Sequence, residues 1–356
     1  MSRTIIIPET LWYTRCPVPT ASGIALSKDW IQNEFKSDGI DVTSLRQSDD
    51  VKIRASHYTH ALDNAFRQGG NAPAIYAQSE GADTALIGLH WVPQYQGILS
   101  LHDSGITDVA HLKGKRFALP VRKNDPIDFW RSMSLAGYEA TLSLAGLNLK
   151  DVDLVELPIS ASYIDVNKGS TDPHAIAPRL EQQHSTELLS LLNGQVDIIF
   201  GHSTWGCHIR EMFSLREIIN IRNCGDDQLK ISNGQPKTLT VSRQLLDNHP
   251  DLVDRYVVQL IKAAKWAREH KSEARRILAQ EIGVAEYWLD EGCGVDVVDN
   301  LDISLAPHLI EALDHRQKFL KQHGFIKKLI DLDNWIDRGP LERAQSLETQ
   351  CNIKGK

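Results

Sequence analysis

A chain of 356 residues, 42% of them apolar and 24% charged, has material for two units sharing a substantial core. A net charge of −7 with no basic run interleaved with aromatics excludes a general nucleic-acid binder, and no apolar run approaches the ~20 residues of a membrane span. Five widely spaced cysteines with no Cys-x-x-Cys pair exclude a disulfide framework and a zinc ribbon.

Ile5-Ile6-Ile7 is too short for the core of a secretory leader and Pro8-Glu9 ends it, so the cytoplasm, with reduced thiols, is the expected home. A strand is predicted over residues 4–13, running into Thr14-Arg15-Cys16-Pro17-Val18-Pro19, where the two prolines bar helix and stiffen the loop. The spacing of Ile24, Leu26, Trp30, Ile31 and Phe35 predicts a helix over residues 23–35, with Thr20 or Ser22 as its cap. A thiol between a strand end and a helix N-terminus sits where free N–H groups favour an anion, and Arg15 beside it would strengthen that. The other reading of Cys16 is a buried, inert cysteine.

A second strand is predicted over residues 40–45 and a helix over 56–66, followed by Arg67-Gln68-Gly69-Gly70. Apolar runs at 84–89 and 96–101 read as buried strands, so the first hundred residues alternate β and α and imply a mostly parallel sheet. Residues 106–120 read as a short helix, a turn at Gly114 and a strand, where the chain crosses into a second unit. There a helix over 129–145, a strand over 153–157, a helix over 185–192 and a strand over 196–200 follow. The polar stretch 160–183, with Gly169, Pro173 and Pro178, reads as a long mobile loop whose closure over a cleft is left open. Residues 218–221 read as the return strand, and the last third is helical over 251–268, 272–281 and 307–323, with Gly324 as a C-cap. The expected architecture is α/β with two lobes: residues 1–110 and 218–356 form the first with the C-terminal helices, and 111–217 the second. A ligand would lie in the interlobe cleft, at strand C-terminal ends and helix N-termini.

The segments 112–120, 151–158 and 192–197 resemble the nitrate/sulfonate/taurine solute-binding proteins of ABC importers, which implies a two-lobed type II periplasmic-binding-protein fold. A narrower set resembles the 2'-hydroxybiphenyl-2-sulfinate desulfinase family, cytoplasmic enzymes on the same fold. It comprises Thr14-Arg15-Cys16-Pro17-Val18-Pro19, His57-Tyr58-Thr59, Arg67-Gln68-Gly69-Gly70, Leu157-Pro158-Ile159, Trp205-Gly206, Trp266-Ala267-Arg268-Glu269-His270 and Leu313-Asp314-His315. The resemblance implies Cys16, His57, Arg67 and Gly70 as an active site, with Thr14 facing the substrate. Trp130 and Trp205 are the expected aromatic walls, and His202-Ser203-Thr204 makes the neighbouring lining more polar than the family's.

An aryl sulfinate is an anion whose ring carbon must gain a proton as sulfite leaves. It calls for Arg67 as a two-pronged donor and for the backbone N–H groups of Gly69 and Gly70. Cys16 would be either the nucleophile at sulfur or the acid that protonates carbon, and His57 would set its protonation or relay a proton. Each residue also has a plainer reading: Arg67 as a solvated helix-end residue, Gly69-Gly70 as a C-cap turn, and Trp91, Trp130 and Trp205 as core. Neither His57 with His60 nor His202 with Cys207 and His208 has the company of a metal site, and no cofactor is expected. The expected partner is a small organic anion, and the expected state a monomer. Sequence thus points to a desulfinase-like hydrolase that releases sulfite. The alternative is a non-catalytic binding protein or sensor for a sulfonate, nitrate or pyrimidine-type anion, and a weaker third is the His- and iron-dependent pyrimidine-synthase branch of this fold.

Overall fold

The computed structural model describes residues 7–166 and 185–354. Among them are ten strands: β1 (Thr10–Arg15), β2 (Asp41–Ser44), β3 (Ala65–Gly69), β4 (Thr84–His90), β5 (Gln96–Ser100), β6 (Arg116–Val121), β7 (Asp153–Pro158), β8 (Ile199–His202), β9 (Arg216–Asn220) and β10 (Lys237–Ser242). The first sheet runs β2-β1-β3-β10-β4. β1 pairs parallel with β2 and β3, while β10 pairs antiparallel with both β3 and β4. The expected parallel sheet is therefore present in β1 to β4, with one late antiparallel strand inserted between β3 and the edge strand β4.

A second sheet runs β8-β5-β9, all antiparallel, and β6 pairs parallel with β7. A bridge from Phe117 to Ile198 ties these two sheets together. β5 thus already belongs to the second assembly. Residues 218–221, expected as the return strand, fall in β9 and the 3-10 turn after it; the strand that returns is β10. The lobes α/β in character, the cleft and the helical tail are as expected.

Two predicted helices change form. The helix expected over 23–35 is two, Ala21–Ser27 and Trp30–Lys36, separated at Asp29, whose φ of 55° is left-handed. Thr20 caps the first by accepting the Gly23 N–H at 3.1 Å. The helix expected over 56–66 is Val51–Thr59, ended by His60 at φ 52°, and the chain then turns into β3. Alternation along β3 sends Phe66 into the core, where its ring stacks on Tyr256 at 3.8 Å between centroids, and sends Arg67 to the other face. Arg67 is thus no helix-end residue; it is 3% exposed.

The tail reaches both assemblies. Helix Pro250–Glu269 buries Leu252, Tyr256, Leu260, Ala264 and Ala267 in the larger core. Arg316, on helix Pro307–Gln322, donates to Ser132 Oγ at 2.7 Å in helix Phe129–Leu144 and to Asn71 Oδ1 at 3.4 Å. No helix among the described residues is long and apolar enough to cross a membrane. The stretch 160–183 falls largely outside the described residues.

Candidate functional site

Cys16 stands one residue beyond β1 and extends its pairing, its N–H donating to the Gln68 carbonyl at 3.1 Å. Its sulfur lies over Gly69: a Cβ on that glycine would fall 2.4 Å from Sγ, closer than any side chain tolerates. The thiol is free and half-buried, like Cys224; Cys207 and Cys293 are free and fully buried.

Alternation along β1 separates Arg15 from this chemistry. Its guanidinium turns to the opposite face and binds Glu281 at 2.6 Å, both groups only 3% exposed. The expectation that Arg15 electrifies the thiol is therefore corrected. The groups beside Sγ are His57 Nε2 and Arg67 Nη2, each at 4.0 Å. Thr14, on the other face of β1, holds His57 Nδ1 at 2.7 Å. Burial first, then the positive charges of Arg67 and Arg46, hold the His57 imidazole well below its ordinary pKa, so it is neutral near pH 7.

Arg67 is locked rather than offered as an open fork. Its Nε donates to the His57 carbonyl at 3.0 Å and Nη1 to the Gly70 carbonyl at 2.9 Å, which leaves Nη2 directed at the sulfur. None of its partners among the described residues is a carboxylate. Burial lowers its pKa, with the nearby Cys16 sulfur opposing that. Gly70 caps helix Asn71–Ser79, and a Cβ there would lie 2.4 Å from the Asn233 amide. Asn233 in turn accepts the N–H groups of Asn71 and Ala72, both at 2.8 Å, so these two helix-end donors are already satisfied.

A cavity of about 120 Å³ opens from Cys16. At roughly 10–15 Å³ of such volume per water, it has room for a small aromatic molecule. Cys16, His57, Gly70, Trp130 and Trp205 all line it; Thr14, Gly69 and Arg67 stand just behind the wall and hold the others. Trp130 is fixed by its Nε1 donating to Glu187 at 3.1 Å, and Phe129, Met133 and Tyr163 continue the apolar side. No Asp or Glu among the described residues lines the space.

Sequence reasoning missed Arg46, Gln94, Asn233 and Lys237, all on the lining. Arg46 follows the C-terminal end of β2 as Cys16 follows that of β1, a parallel that could have found it. Lys237 opens Lys-Thr-Leu-Thr-Val-Ser, whose β-branched alternation is a strand signal. Of the other flagged residues, His60 faces a separate small cavity behind Arg67, Trp91 packs on the core, and His208 sits between Trp205 and Trp288. His202 does reach the main cavity, while burial pushes the Cys207 thiol up to about 12.

Two linked α/β assemblies around a ligand-sized cavity, with a helical tail bracing both, define the fold of the periplasmic-binding-protein type. The periplasmic aliphatic sulphonate binding protein SsuA from Escherichia coli matches it with a TM-score of 0.65 at 16% identity, over 93% of this chain and 92% of that one. Within that fold the chain is similar to the 2'-hydroxybiphenyl-2-sulfinate desulfinase of Rhodococcus erythropolis, at 26% identity over 351 residues, 92% of each chain. A crystal structure of DSZB, a cysteine-to-serine mutant in complex with biphenyl-2-sulfinic acid, matches with a TM-score of 0.76 at 21% identity, over 96% of this chain and 99% of that one. The profile of the family described as NMT1/THI5 like matches residues 24–182.

Proposed function

We propose that the protein is a desulfinase-like hydrolase that cleaves the C–S bond of a small aromatic sulfinate. The observation that carries this reading is the Cys16 sulfur, 4.0 Å from both a neutral imidazole and a buried guanidinium, at one end of a cavity with aromatic walls and no acidic lining. Similarity to a named desulfinase over nine-tenths of the chain supports it.

The net reaction is ArSO2⁻ + H2O → ArH + HSO3⁻. The C–S electron pair stays on carbon, which takes a proton, and hydroxide from water ends on sulfur. The chain's residues would divide this work. Aromatic walls hold the ring, and Arg67 Nη2 with Arg46 offsets the anionic charge at the reacting end. Cys16 and His57 move the proton, with Thr14 fixing the imidazole's orientation. Arg67's two carbonyl contacts keep its third donor aimed without any rearrangement during reaction.

The test is sulfite release from a panel of aryl and alkyl sulfinates. Wild type should release sulfite from aryl members, and Cys16→Ser should release none while still binding them. An active Cys16→Ser protein removes the thiol from the mechanism. The rival reading, a binding protein without catalysis, rests on the shared fold of sulfonate-binding structures. Thermal stabilisation by sulfonates with no sulfite from any sulfinate would favour it.

A further inference from the structure

The proposed chemistry leaves one buried cation unused. Lys237 is fully buried, lines the cavity, and donates to the Gly234 carbonyl at 3.1 Å. No carboxylate pairs with it among the described residues. The charged-state neighbours that act on it are the thiols Cys293 and Cys16, and its strand partner His90 is held neutral by burial, with a pKa of about 3.

An isolated ammonium out of water is costly unless a counter-charge arrives, and burial lowers the Lys237 pKa to about 8. It also cannot simply duplicate Arg67. Thr238, the next residue of β10, touches Arg67 Nη1 at 3.5 Å, so alternation directs Lys237 to the opposite face of the sheet. It approaches the cavity beside Gln94 and Gly234; a Cβ on Gly234 would lie 2.0 Å from Gln94 Oε1. Lys237 thus meets the cavity from the other face of the sheet than Arg67, while Arg67 and the lining Arg46 already offset the single negative charge that a sulfinate supplies.

We propose that Lys237 receives a second anionic group of the ligand, a carboxylate carried on the same aromatic body as the sulfinate. The inference rests on the reading of the cavity as an aryl sulfinate site and narrows its substrate class to sulfinate–carboxylate dianions. A charged hydrogen bond of this kind changes affinity by roughly 10–150-fold.

Sulfonates serve as non-reacting stand-ins in the test. Dissociation constants of benzenesulfonate, 3- and 4-sulfobenzoate and 4-hydroxybenzenesulfonate are measured by calorimetry for wild type, Lys237→Met and Lys237→Gln, after thermal unfolding shows which variants fold. At least one sulfobenzoate should bind wild type about tenfold or more tighter than benzenesulfonate. That ratio should fall to about threefold or less in either folded variant. Equal affinities in wild type, no measurable sulfobenzoate binding, a ratio that survives both substitutions, or a hydroxyl analogue that outbinds both sulfobenzoates each overturns the assignment. Sulfite release by wild type from benzenesulfinate and from 3- and 4-carboxybenzenesulfinate is measured alongside. Sulfite from any of the three with no carboxylate preference sinks the Lys237 assignment alone, and a preference without sulfite from any of them leaves the two-anion site standing and removes the enzyme.

Discussion

Gly69 and Cys16 share one space: the sulfur occupies the volume where a Cβ of residue 69 would be, with 2.4 Å between them. β3 therefore sets the position of the thiol on β1's end. Gly69→Ala should push Sγ away from His57 and Arg67. Overpacking of this kind costs about 1–3 kcal/mol of stability. A displacement on the order of 1 Å at a reacting group should lower the sulfite-release rate about 100-fold. Unfolding and turnover measured together test this; full activity in a folded Gly69→Ala protein would show that the contact does not position the thiol.

Arg67 donates through Nε and Nη1 to two backbone carbonyls, from His57 and Gly70. A lysine can keep the charge but not three fixed directions. Arg67→Lys should cost about 2–4 kcal/mol of stability, from the lost charged hydrogen bonds. It should also reduce kcat more than it raises KM, because the loosened carbonyls belong to the His57 and Gly70 segments that frame the thiol. A pure rise in KM would return Arg67 to the role of a simple anion clamp.

Arg15 and Glu281 form an ion pair with both side chains 3% exposed. Gly23 packs so tightly on this carboxylate that a Cβ there would overlap it. Glu281→Gln leaves the guanidinium buried without its charge partner and should destabilise by about 3–5 kcal/mol. Denaturant midpoints at constant slope are the measure. A loss under about 1 kcal/mol would mean that water reaches Arg15.

Burial holds His57 and His60 well below pH 6.5 and lowers His90 to about 3. In each case the folded value lies below the unfolded one, so the unfolded chain takes up protons first as pH falls. These groups cost nothing above about pH 6.5 and destabilise progressively below it, at up to about 1.4 kcal/mol per pH unit for each histidine. Urea unfolding between pH 8 and 4.5 should be flat, then fall. His90→Asn, if it folds, should shallow that fall; an unchanged slope would show that His90 is protonated in the folded state.

Much of this protein was legible in the amino-acid order. Pro17 and Pro19 dictate a stiff loop after a strand, Thr20 or Ser22 offers a cap, which the structure gives to Thr20, and the spacing of Leu252, Tyr256, Leu260 and Ala264 dictates a buried helical face. These are short-range effects: a ring that fixes φ, a side-chain oxygen that satisfies a helix-end N–H, a period of 3.6. Cys16, His57, Arg67 and Gly70, flagged through a resemblance, do meet at one place. What only the tertiary structure decided is which neighbours each of them has. Arg15 and Thr14 point to opposite faces of β1, so the arginine next to the cysteine in sequence finds Glu281, while Arg67, 51 positions along, finds the sulfur. Likewise β10 slots between β3 and β4 and brings Lys237 and Thr238 to the site from about 170 positions away. Strand order and register are set by which faces bury together across the whole chain, and no local window of sequence carries that sum.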